Sequence, residues 1–178
     1  MAEALLRHRL DGTGVDAHVS SAGLLYDGVE ASTGSVVAMA RRQIDLTGHR
    51  SRILSAAHLK GTDLVLGMAR MHVREAVVLD RTQFGRIFTL KEFVRRAERA
   101  GARNDEAFDQ WLGHVAAGRR TADLLGEDPV DDIDDPIGGP QRLYERTATE
   151  ISGLIDRVVA LGWSHSSDAA GAPMEPNR

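Results

Sequence analysis

The sequence predicts an α/β fold with a parallel sheet, on three observations. Short apolar runs alternate with amphipathic stretches in the order helix, strand, helix, strand, helix, strand, helix, a pattern that right-handed crossovers turn into a parallel sheet. The chain has 178 residues, 42% hydrophobic and 27% charged, enough for one core and too few for two comfortable ones. No apolar run approaches the ~18 residues of a membrane span, and no signal-peptide core opens the chain. A cytoplasmic, soluble protein without a membrane partner is expected.

Each element follows from its local pattern. Residues 1–10 place Ala2, Leu5, Leu6 and Leu10 at helical spacing, with no cap or turn ahead of them to start the helix. Residues 17–20 read as a short strand, and 35–43 as a helix with Val36, Val37, Ala40 and Ile44 on one side. Residues 63–68 form a buried strand followed by a helix from 69 to about 77. Residues 86–89 give another strand, and Thr89 is placed to cap a helix over 90–100. A helix over 104–118 carries Phe108, Trp111, Leu112 and Val115 on one face, a candidate surface for a protein partner. Residues 119–140 form a loop of Gly, Pro and acids before a last helix over 141–161. From residue 163 the composition turns to Ser, Ala, Gly, Pro and Asn. The expectation is therefore one domain over 1–162 and a disordered tail over 163–178.

Composition narrows the chemistry. The net charge is −4, and 20 Arg and 2 Lys are scattered among acids with no basic stripe, so a nucleic-acid partner is not expected. There is no cysteine, which excludes disulfides, thiolate metal sites and thiol nucleophiles within these residues. The histidines at 8, 18, 58, 72, 114 and 165 show no metal-ligand spacing and read as structural or exposed. Neither a metal nor an organic cofactor is expected.

Four motifs remain: Ser20-Ser21-Ala22-Gly23, the run from Asp45 to Arg52 with His49, the strand at 63–68 continuing into Ala69-Arg70-Met71-His72, and Asp135-Pro136-Ile137-Gly138-Gly139-Pro140. In this order and at these separations they resemble the low-molecular-weight protein-tyrosine-phosphatase family, over residues 1 to about 161. Members of that family carry C-x-x-x-x-x-R-S-P-M-A-E-A near the N-terminus, and this chain begins at the Met of that signature. The resemblance implies a three-layer sandwich around a four-stranded parallel sheet, whose central first strand and phosphate-binding loop would precede Met1. The family's nucleophilic Cys and phosphate-clamping Arg have no counterpart here. The expected cause is a start placed at an internal Met, which leaves the chain truncated and inactive as written.

For mechanism, the resemblance implies hydrolysis of phosphotyrosine on proteins, or of small aryl phosphates, through a phosphocysteine intermediate. Asp135 maps onto the general acid and base, and Ser21 and His49 onto residues that hold the shape of the phosphate loop. Seven acids lie between 123 and 135, so a solvated acidic loop is the competing reading of Asp135, and Asp134, Asp132 and Asp131 stay open as substitutes. Many members place an aromatic residue after the Asp-Pro pair, where Ile137 stands here. Two other readings are a non-catalytic binding protein on the same fold and an arsenate-reductase-like activity. The latter usually requires further cysteines, which this sequence lacks.

Overall fold

The computed structural model describes residues 1–125 and 129–163. Apart from Trp163, the expected tail lies outside the described residues. The helices are α1 (Ala2–Asp11), α2 (Thr33–Ala40), α3 (Ala56–Leu59), α4 (Arg70–Leu79), α5 (Leu90–Ala100), α6 (Phe108–Ala116) and α7 (Gln141–Trp163), with strands β1 (Val65–Gly67) and β2 (Ile87–Thr89). The strands pair in parallel, Leu66 opposite Phe88, and the crossover between them runs through α4.

Side-chain alternation along the strands creates the layers. Ile87 joins a cluster with Leu59 of α3 and Val73, Ala76 and Val77 of α4, against which Val65 packs. The next residue, Phe88, enters the larger cluster with Leu5, Met39, Phe93, Trp111, Ile151 and Ile155, where Leu64, Leu66 and Met68 also pack. The sheet is thus sandwiched between α3 and α4 on one face and the other helices on the second. The α/β class is the expected one.

One local expectation is met, and further local features define the helix ends. Thr89 caps α5, its Oγ1 accepting the Glu92 N–H at 3.0 Å. Ser32 caps α2, and the helix ends ahead of Gln43, whose φ of 62° turns the chain. Gly67 lets the first turn of α4 close on β1, since a Cβ there would lie 3.1 Å from that of His72.

The sheet is smaller than expected. Among the described residues it has two strands, and residues 17–20 form no ladder. Beyond them stand only isolated bridges, Gly23 with Ile53 and Glu30 with Arg50. A strand exists by virtue of its ladder, and no described segment pairs with 17–20 or with the second edge of β1. The four-stranded sheet is therefore present here as β1 and β2 alone.

The apolar face of α6 is also not free for a partner. Trp111, Leu112 and Val115 are buried, with Trp111 edge-on to Phe93 at 5.8 Å and Phe108 stacked on Trp163 at 5.4 Å. Only Asp109, Gln110, Gly113 and His114 face outward. The apolar face at 104–118 is therefore interior, and what the helix offers a partner is its polar outer face.

Arg119 has a buried side chain, 3% exposed. It donates to Glu92 Oε1 at 2.8 Å, to the Phe84 carbonyl at 2.7 Å and to the Ile87 carbonyl at 2.8 Å. Its guanidinium carbon also sits 4.3 Å from the Phe84 ring centre and 4.0 Å from that of Phe88. One side chain thus ties the segment after α6 to the turn before β2, to the first residue of β2 and to α5.

Candidate functional site

The first polar group forms around Glu3. Helical spacing puts Arg7 one turn above it, and Arg7 pairs with the Glu3 carboxylate while donating to the Val19 carbonyl at 3.0 Å. The irregular run 17–20 thereby delivers Ser21, whose Oγ donates to Glu3 Oε2. His49 arrives from the turn after Leu46, its N–H bonded to the Leu46 carbonyl at 3.0 Å and its Nδ1 4.0 Å from Glu3 Oε2. Glu3, Arg7, Asp45, His49, Arg50 and Arg52 help line a cleft of about 380 Å³.

The electrostatics of this cleft are set by opposing effects. Partial burial works to raise the Glu3 pKa, but the hydrogen bonds from Ser21 and Arg7 and the charges of Arg7 and His49 outweigh it, so the carboxyl is held below its ordinary 4.5. A depressed folded-state value means the stabilisation is fully present above 4.5 and is lost as pH falls through the lower folded value. We therefore expect acidification below 4.5 to lower the unfolding midpoint of the wild type more than that of Glu3→Gln. Parallel midpoint curves for the two proteins would show that Glu3 carries no such linkage.

The second group is the acidic loop, where the structure separates four carboxylates that look alike in sequence. Asp131 is buried and paired with Arg95 of α5, Oδ2 accepting Nη2 at 3.0 Å. Asp132 Oδ1 accepts the Arg70 N–H at 2.7 Å, and its carbonyl accepts Lys91 Nζ at 2.6 Å. Asp134 pairs with Arg146 of α7 at 2.8 Å. Asp135 is exposed, and its Oδ1 accepts the Ile137 N–H of its own turn at 3.0 Å. The loop is fastened to the sheet because the Ile133 N–H donates to the Met68 carbonyl just past β1 at 2.8 Å.

His72, in the first turn of α4, lies against this loop. Its Nδ1 accepts the Ala69 N–H at 3.1 Å, which leaves the ring proton on Nε2. Burial lowers its pKa, while the carboxylates of Asp132 and Asp135 work in the opposite sense.

Of the residues expected from sequence, Ser21 and His49 are brought together on Glu3. Asp135 joins neither by a hydrogen bond or ion pair among the described residues. Sequence reasoning missed Glu3 as the hub and His72 as a neighbour of the acidic loop. The i,i+4 spacing of Glu3 and Arg7 was the available signal for the first. Nothing local signals the second, because it depends on the loop folding back over α4. Among the described residues no cluster of three or more His, Cys, Asp or Glu is disposed to hold a metal, and no helix is long and apolar enough to cross a membrane.

A small parallel sheet between helical layers, with a polar cleft at the start of α1 and an acidic loop fastened beyond the C-terminal end of β1, defines an α/β protein of the kind that places ligands at the carboxyl ends of its strands. The chain belongs to the low molecular weight phosphotyrosine protein phosphatase family, whose model matches residues 1–109. Solved structures extend the likeness to the remainder. The low molecular weight protein tyrosine phosphatase from T. tengcongensis is 31% identical, with a TM-score of 0.66 over 89% of this chain and 86% of its own. The YwlE arginine phosphatase from Geobacillus stearothermophilus is 27% identical, with a TM-score of 0.62 over 88% of this chain and 79% of its own. A low molecular weight protein tyrosine phosphatase from Bacillus subtilis, at 24% identity, shares the fold with a TM-score of 0.63 over 89% and 84%. No curated protein matches the sequence.

Proposed function

We propose that the protein to which these residues belong is a cytoplasmic phosphatase that hydrolyses phosphotyrosine or small aryl phosphates through a phosphocysteine. In this reading the cysteine loop is supplied by residues ahead of Met1, and the 178 residues do not turn over substrate without it. The observation that carries the reading is the convergence of Ser21 and His49 on Glu3 at the first turn of α1. A loop entering α1 would lie against this group, which offers it a hydroxyl, an imidazole and the guanidinium of Arg7.

The chemistry divides between the loop and this chain. The thiolate forms a bond to phosphorus while the bond to the phenolic oxygen breaks, and Asp135 protonates the departing oxygen. Asp135 then takes a proton from water as that water attacks the phosphocysteine, releasing phosphate and restoring the thiolate. Backbone N–H groups of the loop and the dipole of α1 stabilise the transferring group. Ile137 is 69% exposed next to Asp135, where it flanks the substrate without the stacking an aromatic ring would give.

The test compares the 178-residue chain with a form extended by the in-frame upstream codons, assayed on an aryl phosphate and, because one similar protein is an arginine phosphatase, on phosphoarginine. The extended form is expected to carry a Cys-x-x-x-x-x-Arg-Ser-Pro run and to turn over the aryl phosphate, while the shorter chain does not. Turnover of phosphoarginine alone would replace the substrate class and keep the mechanism. An upstream stop codon, or an intact mass from the native cells matching the shorter chain, would defeat the reading in favour of a binding role.

A further inference from the structure

The loop that carries Asp135 is held by a small set of contacts, and Asp132 makes the most of them. Its carboxylate takes the Arg70 N–H at 2.7 Å, its carbonyl takes Lys91 Nζ at 2.6 Å, and its own N–H donates to the Pro129 carbonyl at 2.9 Å. The next residue donates to the Met68 carbonyl at 2.8 Å. An acidic side chain on the first free N–H of a helix is stabilised by both the hydrogen bond and the local dipole. Asp135, three residues on, has its carboxylate bonded within its own turn, while the preceding Asp134 is tied to α7 by Arg146 and by Thr147, which donates to the Asp134 carbonyl.

We propose that Asp132 is a positioning residue: by accepting the Arg70 N–H it holds the loop that carries Asp135 against the first turn of α4. This deepens the reading of Asp135 as the general acid and rests on it for its catalytic meaning, though the geometric statement stands alone. The side chain acts through placement and touches no substrate. Asparagine keeps an oxygen for the Arg70 N–H, whereas alanine removes it, so the two variants separate the cap from the charge.

His72 is the reporter. The other charged groups facing the loop are already engaged: Arg70 donates to the Asp123 carbonyl, Lys91 also pairs with Glu150 at 2.7 Å, Arg95 pairs with Asp131, and Arg146 with Asp134. The variants leave these side chains in place. The His72 imidazole, assigned by loss of its signal in His72→Gln, is titrated by NMR in the full 178-residue chain, in Asp132→Asn and in Asp132→Ala, each with and without Asp135→Asn.

Removing Asp135 takes away a charge that raises the His72 pKa, so that pKa falls in the wild type. The same fall is expected in Asp132→Asn, where the cap persists. In Asp132→Ala the Arg70 N–H loses its acceptor while the loop stays fastened through the Ile133 N–H, Arg95 and Arg146, so Asp135 is held less closely to α4 and Asp135→Asn produces a smaller fall. An equal fall in the Asn and Ala backgrounds would overturn the proposal, as would no fall in any background. In a form carrying the phosphate loop, Asp132→Ala is expected to lower kcat about 10²-fold with KM retained, and Asp132→Asn to restore it. If the NMR pattern holds while kcat does not change, Asp132 positions Asp135 as stated and it is the role of Asp135 in catalysis that fails.

Discussion

Replacing Asp135 by asparagine in a form that carries the phosphate loop is expected to lower aryl-phosphate turnover by about 10²–10⁴-fold, with KM little changed. Asparagine keeps an oxygen for the Ile137 N–H, so the turn survives and only the proton is lost. The loss should grow with the basicity of the leaving group: small for a nitrophenolate, which departs unprotonated, and large for an unsubstituted phenolate. Asp134→Asn is the control, because that carboxylate is paired with Arg146. Equal turnover in wild type and Asp135→Asn, or a larger loss in Asp134→Asn, would mean the general acid had been assigned to the wrong residue.

The second large effect is on stability. Arg119→Ala should cost about 3 kcal/mol, near the low end for breaking a buried ion pair because Glu92 keeps Arg96 at 3.0 Å. Lost with the guanidinium are the partners of two backbone carbonyls and its stacking on Phe84 and Phe88. Against a total of roughly 5–15 kcal/mol for a domain, this is a large share. Urea unfolding measures it, and Arg119→Lys should recover only part, since one ammonium does not span both carbonyls and Glu92. A loss below about 1 kcal/mol would place Arg119 among ordinary surface pairs.

Much of the framework was legible because it is local. Thr89 and the apolar spacing of Leu90, Phe93, Val94 and Ala97 specify α5 within one stretch of chain, and the run at 63–68 contains β1. Residues 17–20 were harder, since a strand there needs a ladder partner that the described residues do not supply. The spacing of Phe108, Trp111, Leu112 and Val115 located α6, yet could not say whether that face met a partner or the chain's own Phe93 and Trp163. Arg119 stands at the edge of a polar loop in sequence; its burial depends on Phe84, Ile87 and Glu92, each more than 25 residues away. At the candidate site, Ser21 and His49 came from motif resemblance, whereas the different situations of Asp131, Asp132, Asp134 and Asp135 emerge only once α4, α5 and α7 surround them.

Those different situations govern how an anion meets the protein. A run of four aspartates in five positions would, if all were free, repel a phosphorylated side chain before it could bind. Arg95 and Arg146 pair with two of them, and the Arg70 N–H at the start of α4 binds a third. An approaching phosphate therefore meets one unpaired carboxylate, the one that would be protonated while serving as an acid. Encounter rates should accordingly depend less on ionic strength than the formal charge of this loop suggests.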